Sequence, residues 1–239
     1  MKPEVICHIM SSVDGRLIPS RWTPPFDGTD PGMLFKEYAD ISTQLVTDAW
    51  MFGKATVKEV FPDRFITRKT TRSQSEKIHV GHHDTPRLFI TVDPDADIQY
   101  TSDRLRGDNI VTVLGRNASD DYLAMLEENG ISYIVLNNPT ALHEAMDILY
   151  DRFGVRRISL QGGGIINGAM LAEGLIDELS LVIYPGIDGL TTAPSIFEYL
   201  GSSDEHPAVG QSLELLSVEK RRHGIVWMRY RFHHRVHFR

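Results

Sequence analysis

The sequence has almost no cysteine, because Cys7 is the only one in a chain of 239 residues. A single thiol excludes an internal disulfide, and it excludes a zinc site that is built from several thiolates. His79, His82, His83 and Asp84 have the density of metal ligands, but no helical frame orders these side chains. We therefore predict no metal site.

The chain also lacks long apolar runs. No run approaches the roughly 18 apolar residues that a membrane span needs. Residues 1–5 have neither the basic region nor the apolar region of a signal peptide. We expect a soluble, cytoplasmic protein that has no membrane partner.

Positive charge is scarce as well, since 25 Lys and Arg stand against 32 Asp and Glu and the formal net charge is −7. This balance argues against a general nucleic-acid binder and against a binder of anionic membranes. Residues 229–235 alternate Arg and His with aromatic side chains, which leaves an RNA-associated protein open as an alternative. A solvated face of an edge strand explains the same alternation more simply.

What remains is the composition of an ordinary globular protein, with 41% hydrophobic and 24% charged residues. A chain of this length holds one large α/β domain or two small ones. We find neither an internal repeat nor a convincing linker, so we predict a single domain over residues 1–239. A polar excursion at about residues 64–85 interrupts it.

Apolar periodicity predicts strands that alternate with helices. Short apolar runs predict strands at residues 5–10, 46–52, 88–92, 110–114, 133–136, 155–160 and 179–184. Helical spacing predicts helices at residues 33–45, 56–60, 120–129, 142–153 and 165–172. The chain ends in a predicted hairpin of residues 213–219 and 225–232. This order indicates an α/β fold with a mostly parallel central sheet, helices on both faces and a C-terminal antiparallel hairpin.

The most informative segment is 159–179, in which three consecutive glycines at 162–164 separate a predicted strand from a predicted helix. Free backbone N–H groups and the positive end of the helix dipole suit a phosphate there, and the missing Cβ atoms permit close approach. A plain Gly-rich turn is the alternative. A Rossmann fingerprint fits poorly, because the segment lies late in the chain and the acidic Asp177 and Glu178 precede the next strand.

A Pro- and Gly-rich loop at residues 19–32 carries the aromatic residues Trp22 and Phe26. A loop this long and this apolar is typically functional, as a lid or as a wall of a substrate site. Its aromatic rings either stack on a heterocycle or anchor the loop.

Four motifs, in their order along the chain, carry a family resemblance. They are Ser12-Val-Asp-Gly15, Asp48-Ala-Trp-Met-Phe-Gly53-Lys-Ala-Thr56, Leu160-Gln-Gly-Gly163, and Leu175-Ile-Asp-Glu-Leu179 with Pro185, Gly186 and Gly189 downstream. Together with the terminal hairpin, the set resembles the dihydrofolate-reductase-like fold, and most closely the pyrimidine reductase domain of riboflavin biosynthesis. The resemblance spans nearly the whole chain.

The resemblance implies a reductase that binds NADPH along the carboxyl edge of the sheet. It assigns one group of residues to the cofactor's phosphates and adenosine ribose, namely Gly53, Lys54, Thr56 and Thr91. A glycine, a cation and a hydroxyl at a helix start also form a sensible anion site. It assigns a second group to the diphosphate, namely Gly162, Gly163, Gly164 and Ile165, and it implies a cis peptide between the first two.

The same resemblance places the turn at residues 12–15 near the nicotinamide and the substrate. The candidates for substrate contact are Ser12, Trp22 and Arg64, with Arg68 as the alternative to Arg64. Asp14 is the candidate catalytic residue, which orients the substrate or relays a proton. The alternative for Asp14 is a turn residue that bonds to its own backbone.

The chain departs from the family's pattern at positions that bear on cofactor and proton. Gln161 stands where the pyrimidine reductases have a glutamate. Asp93 brings negative charge near the presumed 2′-phosphate position while Lys54 favours that group, so NADH is not excluded. The first predicted helix lacks the acid of dihydrofolate reductases, although Asp30 and Glu37 flank its place. True dihydrofolate reduction is therefore not expected.

These features predict an NAD(P)H-dependent reductase that transfers hydride to a small heterocyclic or ribosylamino-pyrimidine-type substrate. A non-catalytic nucleotide-binding module with the same fold is the alternative from another class. The resemblance and the terminal strands also imply a homodimer.

Overall fold

The computed structural model describes residues 1–60, 77–138 and 141–234. Within these ranges the α-helices are α1 Pro31–Gln44, α2 Lys54–Val60, α3 Asp120–Glu128, α4 Leu142–Arg152 and α5 Gly164–Ala172. The strands are β1 Glu4–Ser11, β2 Ala49–Gly53, β3 Lys77–His79, β4 Leu88–Asp93, β5 Arg104–Leu105, β6 Asp108–Leu114, β7 Ser132–Val135, β8 Arg157–Leu160, β9 Glu178–Ile183, β10 Gln211–Lys220 and β11 Val226–His234.

Every helix and strand predicted from apolar periodicity is found, with ends displaced by at most three residues. α1 begins before its first apolar position because Asp30 caps it, accepting the Gly32 N–H at 2.9 Å, and proline occupies the first turn. β2 begins later than predicted because Val46 has a φ of 43°, which breaks an extended run. The short strands β3 and β5 were not predicted, since two or three residues carry no periodicity.

The chain forms two compact units. Unit 1 comprises Met1–Glu4 and Thr47–Ile158, and unit 2 comprises Val5–Val46 and Ser159–Arg239, each within the described ranges. The single domain over residues 1–239 stays a prediction.

In unit 1, the strands β2, β4, β6 and β7 run parallel, each paired with the next. Two short strands pair antiparallel in this unit, β3 with β7 and β5 with β6. All six residues of β4 are buried, as expected of a central parallel strand. The core on one side includes Tyr122 and the stacked rings of Phe52 and Phe89, whose centroids lie 4.8 Å apart.

In unit 2, β1 pairs in parallel with β9, and β11 and β10 continue the sheet antiparallel. α1 places Leu34 and Ile41 in a core that also contains Ile6 of β1 and Trp227 of β11. β10 is interrupted by a bulge after Leu215.

The predicted α/β class, with mostly parallel strands and a C-terminal antiparallel hairpin, is confirmed. Across the ranges that the structure describes, no helix combines the length and the apolar composition needed to cross a bilayer.

Candidate active site

The turn at residues 12–15 follows β1 directly and closes on itself. The Gly15 N–H donates to the Ser12 carbonyl at 2.9 Å, and the Arg16 N–H donates to the Ser12 hydroxyl at 2.9 Å. That hydroxyl donates in turn to Asp14 Oδ1 at 2.7 Å. Ser12 is buried and its hydroxyl holds the turn together, so its contact with substrate stays a prediction.

The Asp14 carboxylate ties this turn to the loop that follows β9. Its Oδ1 accepts the Asp188 N–H at 3.1 Å and its Oδ2 accepts the Gly189 N–H at 2.8 Å. The hydrogen bond from Ser12, followed by these two N–H groups, lowers the pKa of Asp14 well below its ordinary value. An ionised carboxylate has no proton to give at neutral pH. The catalytic role of Asp14 stays a prediction, and of its two forms the geometry favours orientation over proton relay.

The first part of the loop at residues 19–32 is fastened to the same region. Arg21 pairs with the Asp188 carboxylate through Nε at 3.0 Å and Nη2 at 3.0 Å. Trp22 lies in the core, with its ring centroid 4.9 Å from that of Tyr184. This position matches the alternative in which the ring anchors the loop, and a substrate contact by Trp22 stays a prediction.

β8 leads into the glycine segment, and α5 begins at Gly164. The peptide between Gly162 and Gly163 is cis, as the resemblance implied, and Gly162 has a φ of 82°, a region that favours glycine. Gly163 is the N-cap of α5 and contributes no side-chain cap. The backbone N–H groups of this first turn therefore have no side-chain acceptor from the cap, which suits an anion.

The glycines of α5 also accommodate a segment that the sequence did not single out, residues 193–198. A Cβ on Gly164 would lie 2.3 Å from the Ser195 carbonyl oxygen, and one on Gly168 would lie 2.1 Å from the Glu198 carbonyl oxygen. The Glu198 N–H donates to the Gly164 carbonyl at 2.9 Å. These two glycines are thus required by chain packing, whatever ligand binds.

The other side of the 193–198 segment contacts the residues just after the 12–15 turn. Arg16 and Ser195 form an isolated antiparallel bridge, and the Leu17 N–H donates to the Pro194 carbonyl at 2.9 Å. The 12–15 turn and the 162–164 segment, one early and one late in the chain, therefore lie against the same stretch of unit 2.

Gln161 joins β8 to α1 through three hydrogen bonds. Its Oε1 accepts the Tyr38 hydroxyl at 2.7 Å, and its Nε2 donates to Ser159 Oγ at 2.8 Å and to Ser42 Oγ at 3.2 Å. Because an amide both donates and accepts, glutamine satisfies this set of partners without a buried charge. Glutamine at position 161, where the resemblance expects glutamate, therefore fits the hydrogen-bond partners that surround it.

The acidic residues that flank the first helix have structural partners. Asp30 caps α1, and Glu37, which is 9% exposed, accepts from Arg221 Nε at 2.8 Å.

His8 is fully buried and stacks on Tyr38 with ring centroids 4.4 Å apart, and burial lowers the pKa of His8 to about 4. At neutral pH His8 is therefore an uncharged base.

In unit 1, β2 ends at Gly53 and α2 begins at Lys54, beside the carboxyl end of β4. Lys54 Nζ contacts the Asp95 carboxylate and lies 2.7 Å from Asp97 Oδ2. Partial burial lowers the pKa of Lys54, but the two carboxylates outweigh it and raise the pKa. The ammonium is charged and doubly paired, and its contact with a phosphate stays a prediction.

Thr56 and Thr91 also remain predictions as cofactor contacts. Thr56 is half-buried in the first turn of α2. Thr91 is fully buried in β4, in register with Thr112 of β6.

Asp93 ends β4 and closes the turn that follows it. It is fully buried, and its Oδ2 accepts the Ile98 N–H at 2.9 Å. Burial raises the pKa of Asp93 to about 6, against the opposing effects of the Ile98 N–H and the Lys54 charge.

Several candidates lie elsewhere. Arg64 and its alternative Arg68 fall outside the described residues. Of the histidine-rich stretch, His82 contacts Asp103 at 2.8 Å and Asp84 contacts Arg104 at 2.7 Å. In the part of the chain that the structure describes, no group of three or more His, Cys, Asp or Glu side chains is placed to hold a metal ion.

The sequence analysis did not predict two of the contacts described above, those of Lys54 and those of the 193–198 segment. Asp95 and Asp97 bind Lys54, and the Asp-Pro-Asp-Ala-Asp run directly after a predicted strand was the signal that could have found them. The 193–198 segment has no periodicity or motif, so nothing in its sequence pointed to its contacts.

Parallel strands, a Gly-rich strand-to-helix corner and a C-terminal antiparallel pair are features that the resemblance to the dihydrofolate-reductase-like fold implied. The model of the RibD C-terminal domain family matches residues 3–227, and the chain belongs to this family. The family predicted from the four motifs is confirmed, and with it the oxidoreductase class.

A curated relative and two solved structures are similar to the chain. The 2,5-diamino-6-ribosylamino-4(3H)-pyrimidinone 5′-phosphate reductase of Methanothermobacter thermautotrophicus (strain Delta H) is 24% identical over 216 residues, which are 90% of this chain and 92% of the relative. A pyrimidine reductase-like protein of Corynebacterium diphtheriae superposes with a TM-score of 0.69 at 21% identity, covering 97% of this chain and 92% of its own.

The second structure is the riboflavin biosynthesis reductase Rib7 of Saccharomyces cerevisiae. It superposes with a TM-score of 0.59 at 14% identity, covering 97% of this chain and 90% of the yeast protein. Both structures bear out the fold that the motifs predicted.

Proposed function

We propose that this chain is a pyridine-nucleotide-dependent reductase that transfers hydride to a ribosylamino-pyrimidine 5′-phosphate or a closely related heterocycle. Membership of the RibD C-terminal domain family supports the reaction class, and the name of the Methanothermobacter relative supports the substrate. The observation that carries the proposal is the 162–164 corner, whose helix start lacks a side-chain cap and which lies against the same segment as the 12–15 turn.

The corner of unit 2 fits the diphosphate of a dinucleotide. α5 is nine residues long, so its first turn carries a developed positive dipole end. Ile165 lies in that turn and is 47% exposed, which leaves the adjoining backbone accessible. We propose that Gly162, Gly163, Gly164 and Ile165 hold the diphosphate of NADPH or NADH. When bound, the nicotinamide supplies the hydride.

On the substrate side, the chain supplies position more than acid chemistry. Ser12 and Asp14 hold the 12–15 turn in one geometry through hydrogen bonds of 2.7–2.9 Å. Asp14 is ionised, and Glu37 is held by Arg221. We therefore propose that the proton which accompanies hydride transfer comes from water, while the turn orients the acceptor.

The reaction is tested by following the absorbance of the reduced cofactor with 2,5-diamino-6-ribosylamino-4(3H)-pyrimidinone 5′-phosphate as substrate. We expect substrate-dependent loss of absorbance and a product heavier by two hydrogens in mass spectrometry. No calorimetric signal with NADPH or NADH at millimolar concentration would end the proposal. Binding without turnover across pterin, pyrimidine and quinone substrates would support the non-catalytic module instead.

The diphosphate site is tested by a charge at the start of α5. Ile165→Glu places a carboxylate beside the proposed site and should raise the cofactor Kd by about tenfold or more, since like charges repel. Ile165→Gln is the matched neutral control and should leave the Kd within about threefold of the parent. Equal Kd values for the two variants would place the diphosphate elsewhere.

A further inference from the structure

Four oxygen-bearing side chains lie within the hydrophobic core of unit 1. Phe89, Thr91 and Asp93 alternate along β4 and therefore share one face of the sheet. Thr112 of β6 is the register partner of Thr91, so its side chain lies on the same face. The core on this face includes Phe89 and Tyr100. The four polar members are each at most 3% exposed, namely Thr91, Asp93, Tyr100 and Thr112.

These four side chains are close enough to affect one another. Burial raises the pKa of the Tyr100 phenol, the hydroxyls of Thr112 and Thr91 oppose this increase, and the charge of Asp93 adds to it. Asp93 also holds the segment that leads to Tyr100, because its Oδ2 accepts the Ile98 N–H at 2.9 Å. The cluster therefore connects two neighbouring strands with the segment that follows β4.

One oxygen atom of each side chain has no partner in hydrogen-bond geometry among the residues that the structure describes. These buried atoms are Asp93 Oδ1, Tyr100 Oη and the Oγ1 atoms of Thr91 and Thr112. A buried polar atom without a partner is costly, and native proteins rarely leave one. Four such atoms in one cluster indicate a partner that they share.

The hydrogen-bonding capacity of the four atoms identifies the chemistry of this partner. Each of the three hydroxyls brings a proton that needs an acceptor, whereas the ionised carboxylate of Asp93 only accepts. A bare cation would contact the oxygen atoms but would leave the three hydroxyl protons without acceptors. A water molecule donates two hydrogen bonds and accepts two, so a single molecule can serve all four atoms.

We propose that these four side chains form a binding site for one internal water molecule. The water joins β4, β6 and the segment that follows β4 through hydrogen bonds. The inference goes beyond the proposed function and does not depend on it. It assigns the Thr91 hydroxyl to the interior of unit 1, whereas the family resemblance implied a place near the adenosine ribose of the cofactor.

The experiment counts long-lived internal water molecules by magnetic relaxation dispersion of the water oxygen, on the full chain without ligand. Thr91→Val/Thr112→Val replaces two hydroxyls by methyl groups of similar shape, and valine is favoured in strands. We expect the double variant to hold one long-lived water fewer than the parent. Tyr100→Phe removes a third hydroxyl and should give the same loss if the double variant folds poorly.

The matched control is Thr43→Val/Thr101→Val, which removes two threonine hydroxyls at exposed positions. It should leave the count of internal waters at the value of the parent. Thermal midpoints report whether each variant is folded. In calorimetry with NADPH and with NADH, Thr91→Val should leave the cofactor Kd within about threefold of the parent.

Three results would overturn the inference. An unchanged water count in Thr91→Val/Thr112→Val would remove the internal site. A thermal midpoint that rises when sodium or potassium replaces tetramethylammonium, in the parent but not in the double variant, would assign the site to a monovalent cation. A cofactor Kd that rises about tenfold or more in Thr91→Val but not in Thr112→Val would return Thr91 to the ribose.

The same measurements separate this inference from the proposed function. Binding of neither nucleotide at millimolar concentration would remove the proposed function. The water count would still decide whether the internal site exists, because it is measured without a cofactor.

Discussion

Asp14 receives hydrogen bonds from the Ser12 hydroxyl in its own turn and from two N–H groups in a loop some 175 positions further along the chain. A residue with these partners acts by holding two segments together. Its removal should therefore misplace the substrate-side turn without removing an acid from the reaction.

We predict that Asp14→Asn raises the KM for the pyrimidine substrate by about tenfold while kcat changes by less than about threefold. The asparagine keeps one acceptor oxygen, but it loses the negative charge of the carboxylate that accepts from the Asp188 and Gly189 N–H groups. Steady-state kinetics over pH 6–9 measure both parameters. A fall in kcat of about a hundredfold with an unchanged KM would instead restore Asp14 as a proton relay.

His8 makes stability depend on pH in a defined direction. Burial lowers the folded-state pKa of His8 from 6.5 to about 4. Between these values the unfolded chain binds a proton that the folded chain does not, so stability is complete above the unfolded pKa and falls as the pH drops. The loss reaches at most about 3 kcal/mol at pH 4.

We predict that the urea midpoint of the parent falls between pH 7.5 and pH 5, and that His8→Gln reduces this fall. Asp93 acts in the opposite sense, because its raised pKa of about 6 favours the folded state at low pH. The comparison with His206→Gln, which changes an exposed histidine, isolates the effect of burial. Equal pH dependence in both variants would contradict the assignment to His8.

Among the helices, α5 depends on glycine for a reason that a helix propensity scale would miss. Alanine in place of a mid-helix glycine normally stabilises by about 1 kcal/mol. At Gly168, however, a Cβ would lie 2.1 Å from the Glu198 carbonyl oxygen and 2.8 Å from the Tyr199 nitrogen. The 193–198 segment would have to move away from α5.

We predict that Gly168→Ala destabilises the protein by about 1–3 kcal/mol, as overpacking does. Because Glu198 also donates to the Gly164 carbonyl, the cofactor Kd should rise as well. Urea unfolding and calorimetry measure the two effects. A variant more stable than the parent would show that the 193–198 segment moves away from α5 without a loss of stability.

The terminal hairpin leaves apolar side chains on the outer strand. Leu213 and Leu215 of β10 are 50% and 54% exposed. An edge strand with such a surface favours association with another chain. The predicted homodimer is consistent with this surface and stays a prediction.

We predict that light scattering gives a mass of twice the 27.0 kDa chain, and that Leu213→Lys/Leu215→Lys gives the single-chain mass. The control Leu200→Lys/Val209→Lys adds the same charge at residues that are 80% and 74% exposed and lie outside β10. It should remain dimeric. A monomeric parent would contradict the predicted dimer, and dissociation of both variants would contradict the assignment to β10.

Two of the three boundaries between the units fall inside strands. Glu4 and Val5 are consecutive in β1, and Ile158 and Ser159 are consecutive in β8. Domains that fold independently are usually joined by exposed linkers. The single domain, which the absence of a linker in the sequence predicts, stays a prediction.

We predict one cooperative thermal transition, with equal calorimetric and van't Hoff enthalpies, since a single domain unfolds as one. Saturating NADH should shift the whole transition upward by mass action. Two resolved transitions, or a shift confined to one of them, would contradict the single domain.

Local patterns in the chain were sufficient for its elements and its family. The mostly apolar run at residues 88–92 predicts a buried strand, and the glycines at 162–164 predict the break before α5, because periodicity and backbone freedom are properties of neighbouring residues. The order of the four motifs was sufficient for the RibD C-terminal domain family.

The partners of the site residues were decided only by tertiary structure. Glu37 meets Arg221 across 184 positions, and Asp14 meets Gly189 across 175. Lys54, expected to bind a phosphate, is held by Asp97 across 43. The type of each residue determines its charge and its hydrogen-bonding capacity. Whether its partner is a ligand or another part of the chain depends on which distant segments the packed core brings within about 3 Å.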